Sequence, residues 1–370
     1  MIIEQIFILL IACIVSVCCA IPGVFLVLRG RALMSDAISH SILLGIVLAF
    51  FVVHNLHSPL LIVGAVLMGL VTVFSTESLV KSKKIKQDAA IGLVFPFFFS
   101  IAILLINQFA NQTHLDADIV LLGELAFSPF NTLKLAGFNL GPIAIWSSSI
   151  ILIINLLFVC FFYKELKLSS FDAAFASAVG ISPLLMHYLL MGLVSLTAVG
   201  AFEAVGSILV IAFMIVPPAS AYLITKKLSH MLYFSVFFAL VSAILGYSFA
   251  NSLDLSISGS IVCISGFLFF LVFLFSPSCG LVFLSQKHKK KQLHFSAKLL
   301  CIHLLSHEKT EQEAQENSIE NCISHMKWSS SFTQKVISWS ISQGFLSQNN
   351  HLLHLSNLGR EQAKFNLESR

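Results

Sequence analysis

Leu33-Met34-Ser35-Asp36-Ala37-Ile38-Ser39-His40-Ser41 runs directly into Ile42-Leu43-Leu44-Gly45-Ile46-Val47-Leu48-Ala49-Phe50-Phe51-Val52-Val53. The second half is an uncharged apolar run. Joined to the first, it reaches the roughly 20 residues that a helix needs to cross a bilayer. The first half sets an acid and an imidazole four residues apart, hence on one helix face. A carboxylate within a span costs about 2.5–3.5 kcal/mol on insertion scales, so it has a partner or a task. Asp and His together are also a sound beginning of a ligand set for a divalent transition metal. Asp36 and His40 are therefore candidate metal ligands. The competing reading is a hydrogen-bonded pair that only orients two helices.

The rest of the chain places this stretch in a membrane. Of 370 residues, 57% are apolar and 11% charged, against about 25% charged for a soluble chain. Nine apolar segments read as spans, at roughly 5–28, 37–53, 59–78, 89–107, 142–163, 183–200, 205–225, 231–250 and 257–275. With the N-terminus outside, the inner loops carry Arg29, Arg31, Lys81, Lys83, Lys84, Lys86, Lys164, Lys167, Lys226 and Lys227, and the outer loops only Lys134. That asymmetry follows the positive-inside rule and puts the C-terminus in the cytoplasm. Residues 1–286 hold 11 Lys/Arg and 11 Asp/Glu, whereas the last 84 hold 11 and 7. The rise in charge density marks a membrane domain at 1–286 and a soluble tail at 287–370. The eight cysteines form no metal-type pair, and five or six lie in apolar spans, so no disulfide framework is expected.

Between the spans, the outer region 108–141 contains Asp116, Asp118, Ile119, Leu122, Leu125 and Ala126, the stripe of a short interfacial helix ending near Ser128-Pro129. Glu203 stands near the start of the seventh span, beside a tight turn flanked by Gly200 and Gly206. It reads either as a carboxylate at a helix N-terminus or as a pathway group. Pro217-Pro218 is expected to interrupt that span, which makes it a candidate pathway helix. Glu77 is expected to snorkel beside Lys81, and His187 to be a satisfied packing histidine. The inner segment Lys164–Ile181 differs from the other inner loops. Lys164-Glu165-Leu166 leads to Phe171-Asp172-Ala173-Ala174-Phe175, where Ser170 or Asp172 can cap a short helix. Phe171 and Phe175, four apart, are expected on one face. Such a helix either docks into a partner's groove or rests on the bilayer surface.

Four motifs in order resemble the permease subunits of ABC importers for zinc, manganese and iron, over most of residues 1–280. They are Arg29-Gly30-Arg31-Ala32-Leu33-Met34-Ser35-Asp36-Ala37-Ile38-Ser39-His40-Ser41 with Gly45, and Leu122-Gly123-Glu124-Leu125. The third is Lys164-Glu165-Leu166 with Phe171-Asp172 and Ala178-Val179-Gly180. The last is Phe202-Glu203-Ala204-Val205-Gly206 running on to Pro217-Pro218-Ala219. Leu44 and Pro218 depart from residues the family often has there, Pro and Ala. The resemblance implies a paired permease, as a homodimer or with a paralogue. It implies a cytosolic ATPase bound at Lys164, Glu165, Phe171, Asp172 and Phe175, and an extracytoplasmic metal-binding protein. The cargo it implies is zinc, manganese or iron, with Asp36, His40 and Glu203 on the pathway, in a bacterial inner membrane. The chain itself has no GxxxxGK[ST] phosphate loop, so ATP hydrolysis is expected on a separate subunit and no enzyme activity here.

The tail reads as three helices, near 297–305, 319–326 and 332–343, a stop at Gly344, a hairpin over 345–355 and a helix capped by Ser356. That order resembles a winged helix, a small α+β module. Residues 292–370 carry 7 basic and 7 acidic side chains, which disfavours DNA and favours a protein contact or regulatory role. The Lys287–Lys291 run can lie against anionic lipid. His303 and His307, four apart beside Cys301 and Glu308, are a possible regulatory metal site, the alternative being a solvated helix face. The expected architecture is therefore an all-α polytopic membrane protein of about nine transmembrane helices with a winged-helix-like cytosolic domain. Two rival functions stay open: a stand-alone secondary transporter, and a membrane-held metal-responsive regulator.

Overall fold

A long apolar helix, α1 (Ile2–Leu28), opens the first of two compact units, Met1–Gly280 and Leu281–Arg370. The computed structural model describes residues 2–55, 58–109, 125–135, 138–277, 280–308, 317–349 and 352–368. The first unit continues with α2 (Leu33–Val53), α3 (Leu60–Lys81) and α4 (Gln87–Phe109). A 3-10 turn (Ser128–Phe130) and an antiparallel hairpin, β1 (Thr132–Leu135) and β2 (Phe138–Pro142), lead to α5 (Ile143–Phe161). Two short helices follow, α6 (Tyr163–Phe171) and α7 (Ala173–Ala178). The unit ends with α8 (Pro183–Val205), α9 (Ser207–Ile224), α10 (Leu228–Leu253) and α11 (Ile257–Phe275). Among the described residues nine helices are long and apolar enough to cross a membrane, at the nine positions expected from the sequence.

The centre of this unit is built by α1, α2, α8 and α9, which contribute fully buried Ile11, Met34, Ile38, Met191 and Phe213. Since lipid is as apolar as leucine, helix association here depends on close packing and on hydrogen bonds rather than on the hydrophobic effect. Both devices are visible. Gly45 of α2 lies against the Gly64 backbone of α3, and Gly64 in turn against Ala49, so a side chain at either glycine would collide with the facing helix. Asn155 of α5 is buried and donates to the Cys18 carbonyl of α1 (2.9 Å) and to the Thr197 hydroxyl of α8 (3.0 Å). Outward faces of α5 and α11 are apolar and exposed, with Ile150, Ile153, Leu157, Phe267, Phe270 and Phe275. They suit lipid or further protein.

Several local expectations change. The second span begins at Leu33 rather than near residue 37, because Schellman-type bonds end α1 and the chain turns directly into α2. Pro217-Pro218 does not interrupt its span: α9 runs through both prolines, which are buried. Pro218 has no N–H for the Met214 carbonyl, and Gly23 of α1 packs against that carbonyl and the Pro218 ring, so the neighbouring helix covers the defect. Glu203 falls in the last turn of α8, not at the start of the next span, since a single residue, Gly206 (φ 81), makes the turn. The interfacial helix expected over 116–126 falls largely on residues 110–124, outside the described residues. The hairpin that follows was not anticipated.

The second unit has its own core. It comprises α12 (Leu281–His307), α13 (Ile319–Met326), α14 (Ser330–Ser342), the hairpin β3 (Leu346–Asn349) and β4 (Leu352–Leu355), and α15 (Asn357–Glu368). Ala297, Leu300, Leu304, Cys322, Val336, Leu353 and Ala363 meet in one buried cluster. Gly344 (φ 73) ends α14, and Ser356 caps α15 through the Gly359 N–H at 3.0 Å. The Arg360 guanidinium pairs with Glu308 at 2.7 and 2.8 Å, tying the last helix to α12.

Candidate functional site

Asp36 and His40 occupy the first two turns of α2, the imidazole Nε2 lying 3.3 Å from the carboxylate Oδ1. Most of the surrounding helix is buried, yet these two side chains keep about a third of their surface open, 37% and 33%. His40 stacks on Phe95 of α4 and meets the edge of Phe99, at ring separations of 5.7 and 5.9 Å. The two rings set the imidazole plane, and the carboxylate one turn below fixes the position of one ring nitrogen. Next along the helix, Ser41 accepts from the Thr72 hydroxyl at 2.7 Å, which locks this turn of α2 onto α3. The arrangement offers one carboxylate and one imidazole, fewer than the four ligands of a closed zinc site. The Glu203 side chain lies outside the described residues.

Below this pair is a polar cluster that sequence reasoning missed. Glu77 does not snorkel toward Lys81. Its Oε1 takes the Arg31 guanidinium and the His187 Nε2 (2.7 Å), and its Oε2 accepts from the Tyr188 hydroxyl (3.1 Å). Glu77 and His187 are both buried. His187 is thus a buried histidine whose partner is supplied by this charged cluster. Arg31, Glu77 and His187 line a cavity of about 300 Å³ together with Met34, Lys81, Gln87 and Pro183. The one signal in the sequence was the acid itself, since a lone Glu in an apolar span needs a partner. Which partner it takes depends on how α8 lies against α3.

Arg29 stands just outside α1 and takes different partners, donating from Nε to Ser170 (3.0 Å) and from Nη2 to Ser169 (2.9 Å) of α6. Burial, and then the neighbouring Arg31 charge, lower its pKa to about 10, so it stays cationic at neutral pH. The α6–α7 segment differs from the single helix expected. Asp172 is extended (φ −147, ψ 91) and its side chain caps α7 by accepting from the Phe175 N–H at 2.9 Å. Phe171 ends one helix and Phe175 lies in the next, so they do not share a helix face, although both are exposed. Val179, Leu184 and Leu185 are exposed nearby in sequence. Lys164 is exposed, Leu166 is the buried anchor, and Glu165 Oε2 is buried without a hydrogen-bond partner among the described residues.

In the second unit His303 and His307 lie 4.8 Å apart by ring centres, and the fold adds His325 of α13 at 5.7 Å from His303. Among the described residues no three His, Cys, Asp or Glu side chains are arranged to hold a metal ion.

Among the described residues, nine helices long and apolar enough to cross a membrane, with a buried polar cluster among them, define a multi-pass membrane protein. The profile of the ABC 3 transport family matches residues 4–276, and the chain belongs to that family. It is 44% identical over 268 residues to the manganese transport system membrane protein MntD of Bacillus subtilis, covering 72% of this chain and 90% of that one. It is 40% identical over 361 residues to the zinc transport system membrane protein TroD of Treponema pallidum, covering 98% of each, tail included. Among solved structures it is similar to PsaBC from Streptococcus pneumoniae in complex with Fab. That match has a TM-score of 0.63 and 29% identity, over 78% of this chain and all of that one.

Proposed function

We propose that this chain is the permease subunit of an ATP-driven importer that carries a divalent transition-metal ion, zinc, manganese or iron, into the cytoplasm. It would work in a bacterial inner membrane with its N-terminus outside and its tail inside. The observation that carries the reading is the Asp36–His40 pair, held in one orientation yet partly open on a mostly buried helix, in a chain whose relatives are named for manganese and zinc transport. An incomplete ligand set suits a pathway, because the ion must be held and then leave. A second permease subunit, water or Glu203 supplies the remaining ligands.

Energy comes from a separate ATPase that docks on the α6–α7 segment, with Phe171 and Phe175 as apolar anchors, Asp172 holding the bend, and Lys164 and Glu165 at its start. An extracytoplasmic metal-binding protein delivers the ion. The tail is a winged-helix-like module that contacts protein, its near-zero net charge being poor for DNA. His303 and His307 are its candidate regulatory metal ligands.

The test is uptake of zinc, manganese and iron in parallel by cells expressing this chain with its ATPase, active or unable to hydrolyse ATP. Uptake of a metal that vanishes with the inactive ATPase is expected. Uptake indifferent to the ATPase would point to a secondary transporter and overturn the reading.

A further inference from the structure

Only four residues, Arg29-Gly30-Arg31-Ala32, separate α1 from α2, and backbone hydrogen bonds tie them to both helices. The Arg29, Gly30 and Arg31 N–H groups donate back to Phe25, Val27 and Leu26 of α1, and the Arg31 and Ala32 carbonyls accept from Met34 and Ser35 of α2. Gly30, at φ +64, takes the left-handed position of this Schellman-type turn. The turn therefore has little slack, and its two guanidiniums reach different elements. Arg29 holds the two hydroxyls of α6. Arg31 holds the Glu77 carboxylate, which also carries His187 and Tyr188. Four residues beyond Ala32 stands Asp36, and four more bring His40.

Resting on the function proposed above, we infer that Arg29 and Arg31 are positioning residues that transmit movement of the α6 segment to the first turns of α2, and so to the Asp36–His40 pair. A displacement of α6 pulls Arg29, the tied turn carries it to Arg31 and α2, and the Glu77–His187–Tyr188 cluster is the holdfast against which α2 moves. Charge-assisted hydrogen bonds suit such a link, being shorter and stronger than neutral ones and directional. Apolar packing between α6 and α1, such as the buried cluster that Leu166 shares with Val24 and Phe25, lacks that directionality.

The test is the number of metal ions imported per ATP hydrolysed, measured in proteoliposomes holding the permease–ATPase complex, with Mn2+ and Zn2+ in separate runs. Ser169→Ala/Ser170→Ala removes both acceptors of Arg29, along with the bond from the Ser169 hydroxyl to the Leu166 carbonyl within the same helix. It is expected to lower that ratio at least about fivefold, the low end of coupling between sites. Ser169→Thr/Ser170→Thr keeps both hydroxyls and is expected to restore it. An unchanged ratio in the alanine pair overturns the inference, and so does ATP hydrolysis falling in step with uptake, which would mark the serines as docking contacts. A ratio equally low in the threonine pair overturns it as well, since packing rather than the hydroxyls would then be responsible. Failure of the proposed function itself is read separately, from the wild-type complex showing no ATP-dependent uptake.

Discussion

Removing the Glu77 carboxylate tests the internal electrostatics of the fold. The carboxylate receives Arg31, His187 and Tyr188, and its side chain is 11% exposed, against 9% for His187 and 29% for Arg31. Breaking a buried pair by deleting one partner costs about 3–5 kcal/mol, because the other charge is left uncompensated. Arg31 is partly open, so water recovers a share of that. We expect about 2–4 kcal/mol for Glu77→Ala on these grounds. Glu77→Gln keeps the shape and one acceptor oxygen, and we expect about half as much. The double change Arg31→Met/Glu77→Leu removes both charges and fills similar volume but leaves His187 and Tyr188 without their acceptor, so it is expected to recover part of the loss and to lie about 1–3 kcal/mol below wild type. The assay is a reversible SDS titration of the purified, detergent-solubilised chain, with Arg31→Met completing a double-mutant cycle. A Glu77→Ala variant within about 0.5 kcal/mol of wild type, or a cycle in which the two changes simply add, would refute the reasoning. The Arg31–Glu77 contact would then be a surface-like pair of no energetic consequence.

Asp36→Ala and His40→Ala are each expected to abolish metal uptake while the chain still assembles in the membrane; normal uptake by both variants removes them from the pathway. Phe171→Ala is expected to weaken ATPase association roughly tenfold, the cost of one exposed aromatic anchor, and unchanged co-purification with the ATPase would remove Phe171 from the docking surface. Gly45→Leu forces a side chain against the Gly64 backbone. A loss of about 1–3 kcal/mol or more in the same SDS titration is expected, since the obstacle is a helix backbone that cannot rotate away. Burial pushes the Cys301 thiol up to about 11. The neutral thiol therefore persists until pH rises through that value, and at pH 8 about one thousandth is thiolate. In a variant whose only cysteine is Cys301, maleimide labelling is expected to be slow in the native protein and fast once SDS opens the second unit.

Much of this protein was legible in its order of residues because the bilayer is so restrictive a solvent. Every backbone polar group must be satisfied within its own segment, so an uncharged run of about 20 residues has one outcome. The nine spans could be drawn from hydropathy alone for that reason, and Gly344 and Ser356 punctuated the tail through conformational and capping preferences that act locally. Asp36 and His40 were legible as a pair because helical periodicity alone brings residues four apart together. What periodicity cannot supply is the identity of a neighbour from another helix. The Glu77 cluster joins residues 31, 77, 187 and 188, and the Arg29 link joins residues 29, 169 and 170. Both depend on how helices distant in sequence come to lie side by side. The same holds for Pro218, whose helix continues because Gly23 of another helix covers its exposed carbonyl, and for His325, which only the packing of α13 on α12 places beside His303. Local chemistry, in short range along the chain, determined the spans, the caps and the first pair of ligands. Tertiary packing, through close helix contacts and charges seeking partners in a medium without water, decided which of those pieces touch.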